Sequence, residues 1–580
     1  MEWGLISIGA LSNSHDAEHF MSSSHTSGVS WTSRTGDEYN SGTSSTDGLQ
    51  IHQSPEVFPI PLAPNMSSRL SFWLNYYDKI ICPITVAIDS PSNPYRRQIL
   101  SLAVESPSLQ HAICALASCN LRMKRRQGHS QQQWAQPLEL EIRDRHNGGL
   151  QLISNVRSQP PREFTSEAPA DELALQEEYQ NRSQAVQLLN QQLTDPEQAK
   201  HDSVLATLFI LCHYRMCESG IAQFKTQFAG AKKLLGMRSC GVETGKWGWM
   251  ESLFTFFDAI TATVNDREAQ LRGGYLDMIA SPLSSEAALE NYAGFDGKLF
   301  KIIATLGRLN LLSQHRPVLD PLRPRTPSTG RAASHTRPRL AGQALVDYYK
   351  YNATKFDGNG FANTLDTDSE LDHLSALSTP SPVAASQGDD ERPLFWAEWS
   401  TTRSLLQSWE FSPSSLAAAL PIQCDQSLTR DFAYVSETFR YAALLYIERL
   451  ACPNLPSSHL NFQNLVSQVL FFVEALGQGR GRVIGGGREG SKMEKFLLWP
   501  LFVAGSECVS ELHKDIVRTR CRGIVGRSGY GNNFAGLDVL EKIWKESTLE
   551  GVEAQGRPAG SGPFKWTEFM DGVDGEYIMV

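Results

Sequence analysis

"ESPSLQHAICALASCNLRMKRR" (residues 105–126) places His111, Cys114 and Cys119 within nine positions and closes on a basic run. Read as a helix, it begins with Ser106 as N-cap and Pro107 at the first helical position, where a missing N–H costs nothing. Leu109, Ala112, Ile113, Leu116, Ala117 and Asn120 then recur at steps of three and four, which gives one buried face. His111 and Cys114 lie one turn apart, but five residues turn Cys119 about 140° away from Cys114. A structural zinc ion wants four converging ligands, and this helix offers two. Thiols in an apolar stripe pack as small hydrophobes. The stretch reads as a core helix.

The same reasoning covers "LCHYRMC" (211–217), where Cys212 and Cys217 fall on different faces and His213 sits beside Cys212. A pair of helices could still bring the two clusters together. The ten cysteines are scattered, and no CxxC pair occurs. No disulfide framework and no metal site is expected. A cysteine nucleophile would need a histidine partner in an exposed, electropositive setting. No G-x-S-x-G elbow or G-x-x-x-x-G-K-[ST] loop is present. No catalytic, cofactor-binding or metal-ligating residue is assigned, and the chain is read as a non-enzyme.

Outward from this helix, period-3.6 patterning dominates. Leu70, Trp73, Leu74, Tyr77, Ile80 and Ile81 form one stripe that ends at Cys82-Pro83. Further helices are expected over Leu173–Leu193, Asp202–Cys217, Phe224–Met237, Trp249–Val264 and Lys298–Leu312. A second set covers Asp431–Leu450, Asn461–Leu476, Ser491–Val525 and Leu537–Lys545. Strand-like alternation is scarce, so the fold class is all-α: a multi-helix body over 66–580. Residues 1–65 carry seven acids against one base, Arg34, and are rich in Ser and Thr. Such a tail is expected to be disordered. The segments 314–342 and 365–393 read as disordered linkers inserted in the body, and 477–492 as a glycine-rich loop.

The hydrophobic share of 41% and charged share of 20% are ordinary for a globular protein. The longest apolar run, "FLLWPLFVAG" (496–505), is half a membrane span and holds Pro500. The N-terminus has no positive n-region, so no secretory leader is expected. No membrane partner follows. Net charge is −10, whereas proteins that grip DNA phosphates carry basic faces. The basic run Arg122, Lys124, Arg125, Arg126 suits the negative end of a helix dipole. It is also a candidate nuclear import signal.

"FWLNYYDKIICPITVAIDSPSNPYRRQILSLAVESPSLQHAICALAS" (72–118) resembles the opening of the fungal-specific transcription factor domain of zinc-cluster regulators. "LATLFILCHYRMCESGIAQFKTQFAGAKKLL" (205–235), "FRYAALLYIERLACPNLP" (439–456), "FLLWPLFVAGSEC" (496–508), "LDVLEKIWKE" (537–546) and "FKWTEFM" (564–570) continue the resemblance in order. The resemblance implies a nuclear regulatory body, usually preceded by a six-cysteine zinc cluster that reads DNA. Here the first cysteine is Cys82, inside the helical body, so no zinc ligand carries over.

The expected function is transcriptional regulation through the helical body, with indirect contact to DNA. Partners would be other transcription regulators or a homodimer mate, with a small-molecule effector as a further candidate. Control of a secondary-metabolite gene cluster fits the habits of the family. One alternative is a zinc-cluster factor whose DNA-binding segment is missing from this chain. Another is a helical protein that binds or transforms a small molecule.

Overall fold

The computed structural model describes residues 67–127, 168–238, 248–282, 288–318, 356–358, 392–420, 422, 424–476, 492–549 and 562–580. All of them belong to one unit, Phe58–Val580. The tail 1–65 lies outside the described residues, as do 319–342, 365–391 and 477–491 of the expected loops.

Thirteen helices of eight or more residues carry the described fold. They are α1 (Ser68–Tyr76), α2 (Pro107–Gln127), α3 (Ala168–Leu193), α4 (Asp202–Glu218), α5 (Phe224–Arg238), α6 (Gly248–Val264) and α7 (Leu306–Ser313). The second set is α8 (Pro393–Ser408), α9 (Gln426–Ala451), α10 (Leu460–Ala475), α11 (Leu498–Ser506), α12 (Glu511–Ser528) and α13 (Asn532–Leu549). The fold is all-α. Its described extended pairing is two residues long on each side: β1 (Ile221–Ala222) lies antiparallel to β2 (Glu576–Tyr577), with Ile221 opposite Tyr577.

α4 and α6 are apolar on nearly every side and are buried almost end to end. A helix of that kind belongs at the centre of a large core. α2 lies against α1, α3 and α4, while α9 lies against α8, α10 and α11. A single buried apolar cluster runs through both sets. Trp499 ties them together, donating its Nε1–H to Thr263 Oγ1 at 2.8 Å, while Tyr446 donates its hydroxyl to the Thr263 carbonyl at 2.7 Å.

Ser106 and Pro107 behave as the sequence implies: α2 opens at Pro107, and Ser106 Oγ accepts from Leu109 N at 3.4 Å. Three expectations are corrected. The span Lys298–Leu312 divides into a short helix, Gly297–Ile303, and α7. Gly307 of α7 sits so close to Arg267 that a Cβ there would meet its carbonyl oxygen at 2.7 Å. That approach sets the direction of α7 independently of the helix before it.

The span Ser491–Val525 is three pieces: a 3₁₀ turn at Lys492–Phe496, then α11 and α12. Pro500 cannot donate to residue 496 and its ring would strike that carbonyl, so a helix can hold it only in a first turn. The helix Pro393–Ser408 was not expected at all, although Pro393 at its first position is a start signal.

The segment after β2 threads into the core. Ile578 and Met579 are fully buried, Ile578 N donates to the Gly220 carbonyl at 2.9 Å, and Asn532 Nδ2 donates to the Val580 carbonyl oxygen at 2.7 Å. Beneath it, buried Arg267 donates to Asp258 at 2.7 Å and to Glu576 at 2.8 Å. Asp258 also accepts from Leu271 N at 2.8 Å.

Candidate functional site

The packing of α2 against α4 brings the two Cys/His clusters near one another: Cys119 meets Cys217, while the two histidines turn to separate partners. Cys119 and Cys217 are side by side and fully buried, with Cys217 Sγ donating to the Gly529 carbonyl at 3.1 Å. His111 Nδ1 lies 2.9 Å from Asn181 Oδ1 on α3. His213 bridges two tyrosines, with Nε2 at 3.0 Å from Tyr95 Oη and Nδ1 at 3.0 Å from Tyr530 Oη. The rings of Phe209 and Phe257 flank it edge-on.

Burial lowers the His213 pKa to about 3, so this imidazole is neutral. A neutral ring donates through one nitrogen and accepts through the other, which matches two hydroxyl partners. Burial likewise pushes the Cys114 thiol up to about 12 and holds Cys119 and Cys82 well above the ordinary thiol range. Such sulfurs are not nucleophiles. Among the described residues, no group of three or more His, Cys, Asp or Glu is arranged to hold a metal ion.

The basic run is divided by its surroundings. Arg122 donates Nε to Glu178 Oε2 at 2.8 Å and Nη2 to Oε1 at 2.7 Å, and its guanidinium pKa is raised, first by that hydrogen bonding. Lys124 is half-buried beside Gly529, and burial lowers its pKa to about 8. Gly529 closes α12 with φ +73°, and a Cβ there would lie 2.6 Å from Asn120 Nδ2 and 3.0 Å from Lys124 Cγ. Arg125 and Arg126 are exposed.

One cleft joins residues that sequence reasoning did not single out. It encloses about 200 Å³, counting its open mouth, with no interior wide enough for a water molecule. Its lining comes from Glu290 and Asp296, from Phe411, Ser412 and Leu416, and from Phe432 and Ser436 of α9. Asp296 caps the helix Gly297–Ile303, accepting from Leu299 N at 2.7 Å, and also accepts from Trp409 Nε1 at 3.3 Å. Glu290 Oε1 accepts from Gly297 N at 3.1 Å. Its other oxygen, Oε2, is buried with no hydrogen-bond partner, and so is Ser436 Oγ on a fully buried residue.

Burial raises the Glu290 pKa, against the pull of the backbone N–H groups. No lining side chain is basic. Leu416 belongs to a short helix, Pro413–Ala419, of which it is the buried residue, while Pro413, Ser414, Ser415, Ala417 and Ala418 are exposed. Nothing in the local sequence marks this cleft, because its walls come from three separate parts of the chain.

A model of the fungal-specific transcription factor domain matches residues 72–579, from within α1 almost to the end of the C-terminal segment. No curated protein matches the chain. No solved structure matches it. Among the described residues no helix is long and apolar enough to cross a membrane.

Proposed function

The chain belongs to the family of fungal-specific transcription factor domains, and from that premise we propose that this regulator works in the nucleus through its helical body, without itself reading DNA. Regulation of transcription follows from the family. The finer reading is an indirect mechanism, in which the body binds another transcription regulator, or a second copy of itself, and alters a complex already seated on DNA. A small effector would bias that exchange, and a secondary-metabolite gene cluster is the proposed target.

The observation that carries the reading is the extent of the family match, which takes in both helical sets and the C-terminal segment. One feature of the chain supports the indirect route: its net charge is −10, whereas proteins that grip DNA phosphates carry basic faces. The competing reading keeps transcription but assigns DNA contact to a zinc-cluster segment outside this chain.

Chromatin immunoprecipitation of the tagged protein, paired with binding of the purified chain to the recovered DNA, tests both. Chromatin association without direct binding supports the indirect route. Tight, sequence-selective binding by the isolated chain overturns it. Loss of chromatin association altogether overturns the regulatory reading in this form.

A further inference from the structure

We propose that the outer face of α10 is a twofold interface through which two copies of this chain associate in antiparallel orientation. The face is marked first by what it exposes. Of the eleven large apolar side chains exposed among the described residues, five lie on or beside α10: Leu455, Leu460, Phe471, Val509 and Leu512. Leu460 and Phe471 are 69% and 61% exposed. The connections on either side of the helix start are held together. Gln463 Nε2 donates to the Ser457 carbonyl at 2.6 Å and to the Glu507 carbonyl at 2.8 Å. Arg449 reaches the Leu455 carbonyl at 2.6 Å and Glu507 Oε1 at 2.8 Å. Leu455, Val509 and Leu512 thus sit on the chain segments that meet beside Leu460. Exposed apolar residues scattered singly are ordinary, whereas a cluster marks a contact surface.

The pattern along the helix points to what covers it. Leu460, Asn464, Ser467 and Phe471 are exposed at steps of four, three and four, the spacing of a seam between paired helices. Asn461 and Gln468, the other exposed residues of this span, carry no charge. The seam matches itself when reversed. A twofold axis between residues 465 and 466 sets Leu460 against Phe471 of the other copy, and Asn464 against Ser467. An interface between identical subunits needs this kind of self-complementarity. Ser467 Oγ donates to the Gln463 carbonyl at 2.8 Å, which leaves its lone pairs to accept from the Asn464 amide across the axis. Two chains of net charge −10 repel, and an uncharged face is where that repulsion costs least. The helix has 16 residues, a length of about 24 Å. The contact is therefore smaller than a standard interface, and a weak dimer is expected.

The choice of a second copy as partner rests on the regulatory reading for its consequence in the cell, whereas association itself does not. Sedimentation equilibrium of the full chain tests it. The expected result is a monomer–dimer equilibrium. Leu460→Lys and Phe471→Glu should each raise the dissociation constant at least about tenfold, the loss of one central anchor, while circular dichroism stays native. The double variant Leu460→Lys, Phe471→Glu places a lysine opposite a glutamate twice in the antiparallel pair and should recover association. A parallel pair would oppose like charges instead.

A chain that stays monomeric overturns the interface. So does a dimer indifferent to both single changes, or a double variant that associates no more tightly than the singles. Loss of the dimer with no change in chromatin association or reporter output would remove its regulatory role and leave the interface standing.

Discussion

Arg122 and Glu178 meet through two parallel hydrogen bonds of 2.8 and 2.7 Å, joining α2 to α3 with the Glu178 side chain 1% exposed. Tyr214 adds a third bond to the same carboxylate at 3.1 Å. Removing one partner of a buried pair leaves an uncompensated charge, so Glu178→Ala should destabilise the protein by about 3–5 kcal/mol. Urea denaturation measures it. The double variant Arg122→Ala, Glu178→Ala should lose less than the sum of the two single changes. Simple additivity would show that the pair is not coupled.

His213 gives the fold a pH dependence with a definite sign. Its folded-state pKa of about 3 lies below its ordinary value of 6.5, so below pH 6.5 the unfolded chain binds a proton that the native state refuses. Stability from this group is complete above pH 6.5 and falls as the pH drops toward 3, by at most about 1.4 kcal/mol per pH unit. His213→Gln keeps hydrogen-bonding atoms without the titration. The stability difference between the natural protein and this variant should shrink steadily from pH 6.5 to pH 4. A difference independent of pH would mean that the imidazole titrates normally and is not buried.

Thiol chemistry should follow burial. In the native protein, Cys424 and Cys452 are half-buried, while Cys82, Cys114, Cys119, Cys212, Cys217, Cys508 and Cys521 are buried. A brief pulse of iodoacetamide, read by peptide mass spectrometry, should modify the first two well ahead of the other seven. Rapid modification of Cys119 or Cys217 would mean that the α2–α4 contact opens readily.

The candidate import signal now has a specific form. Arg122 is engaged with Glu178 and Lys124 is half-buried, so a receptor meeting the folded protein would find Arg125 and Arg126. Arg125→Ala with Arg126→Ala should move a fluorescently tagged protein toward the cytoplasm at unchanged stability. Undiminished nuclear accumulation would assign import to other residues.

Much of the fold was legible because its signals are local. Ser106-Pro107 marks the start of α2, and the stripe from Leu109 to Asn120 reports a buried face without reference to anything distant. Of the boundaries that failed, one is set by a contact from elsewhere in the chain, and the others had local signals. Nothing near Gly307 announces that it packs against the Arg267 carbonyl. The run around Pro500 looks continuous until the helix is required to place proline in its first turn. α9 starts at Gln426, five residues before Asp431, because Asp425 accepts from Leu428 N at 2.6 Å. That cap was readable. The cleft was not, since Glu290 and Ser436 are ordinary residues until the fold sets them facing the same space.

The β1–β2 pairing has a consequence for how the molecule is made. Translation delivers Ile221 long before its mate Tyr577, so the joint after α4 stays unfinished while the ribosome works through everything between them. A hydrophobic wall that will accept Ile578 and Met579 stays bare for that interval, open to chaperones or to aggregation. A stop ahead of Tyr577 would leave that wall bare permanently.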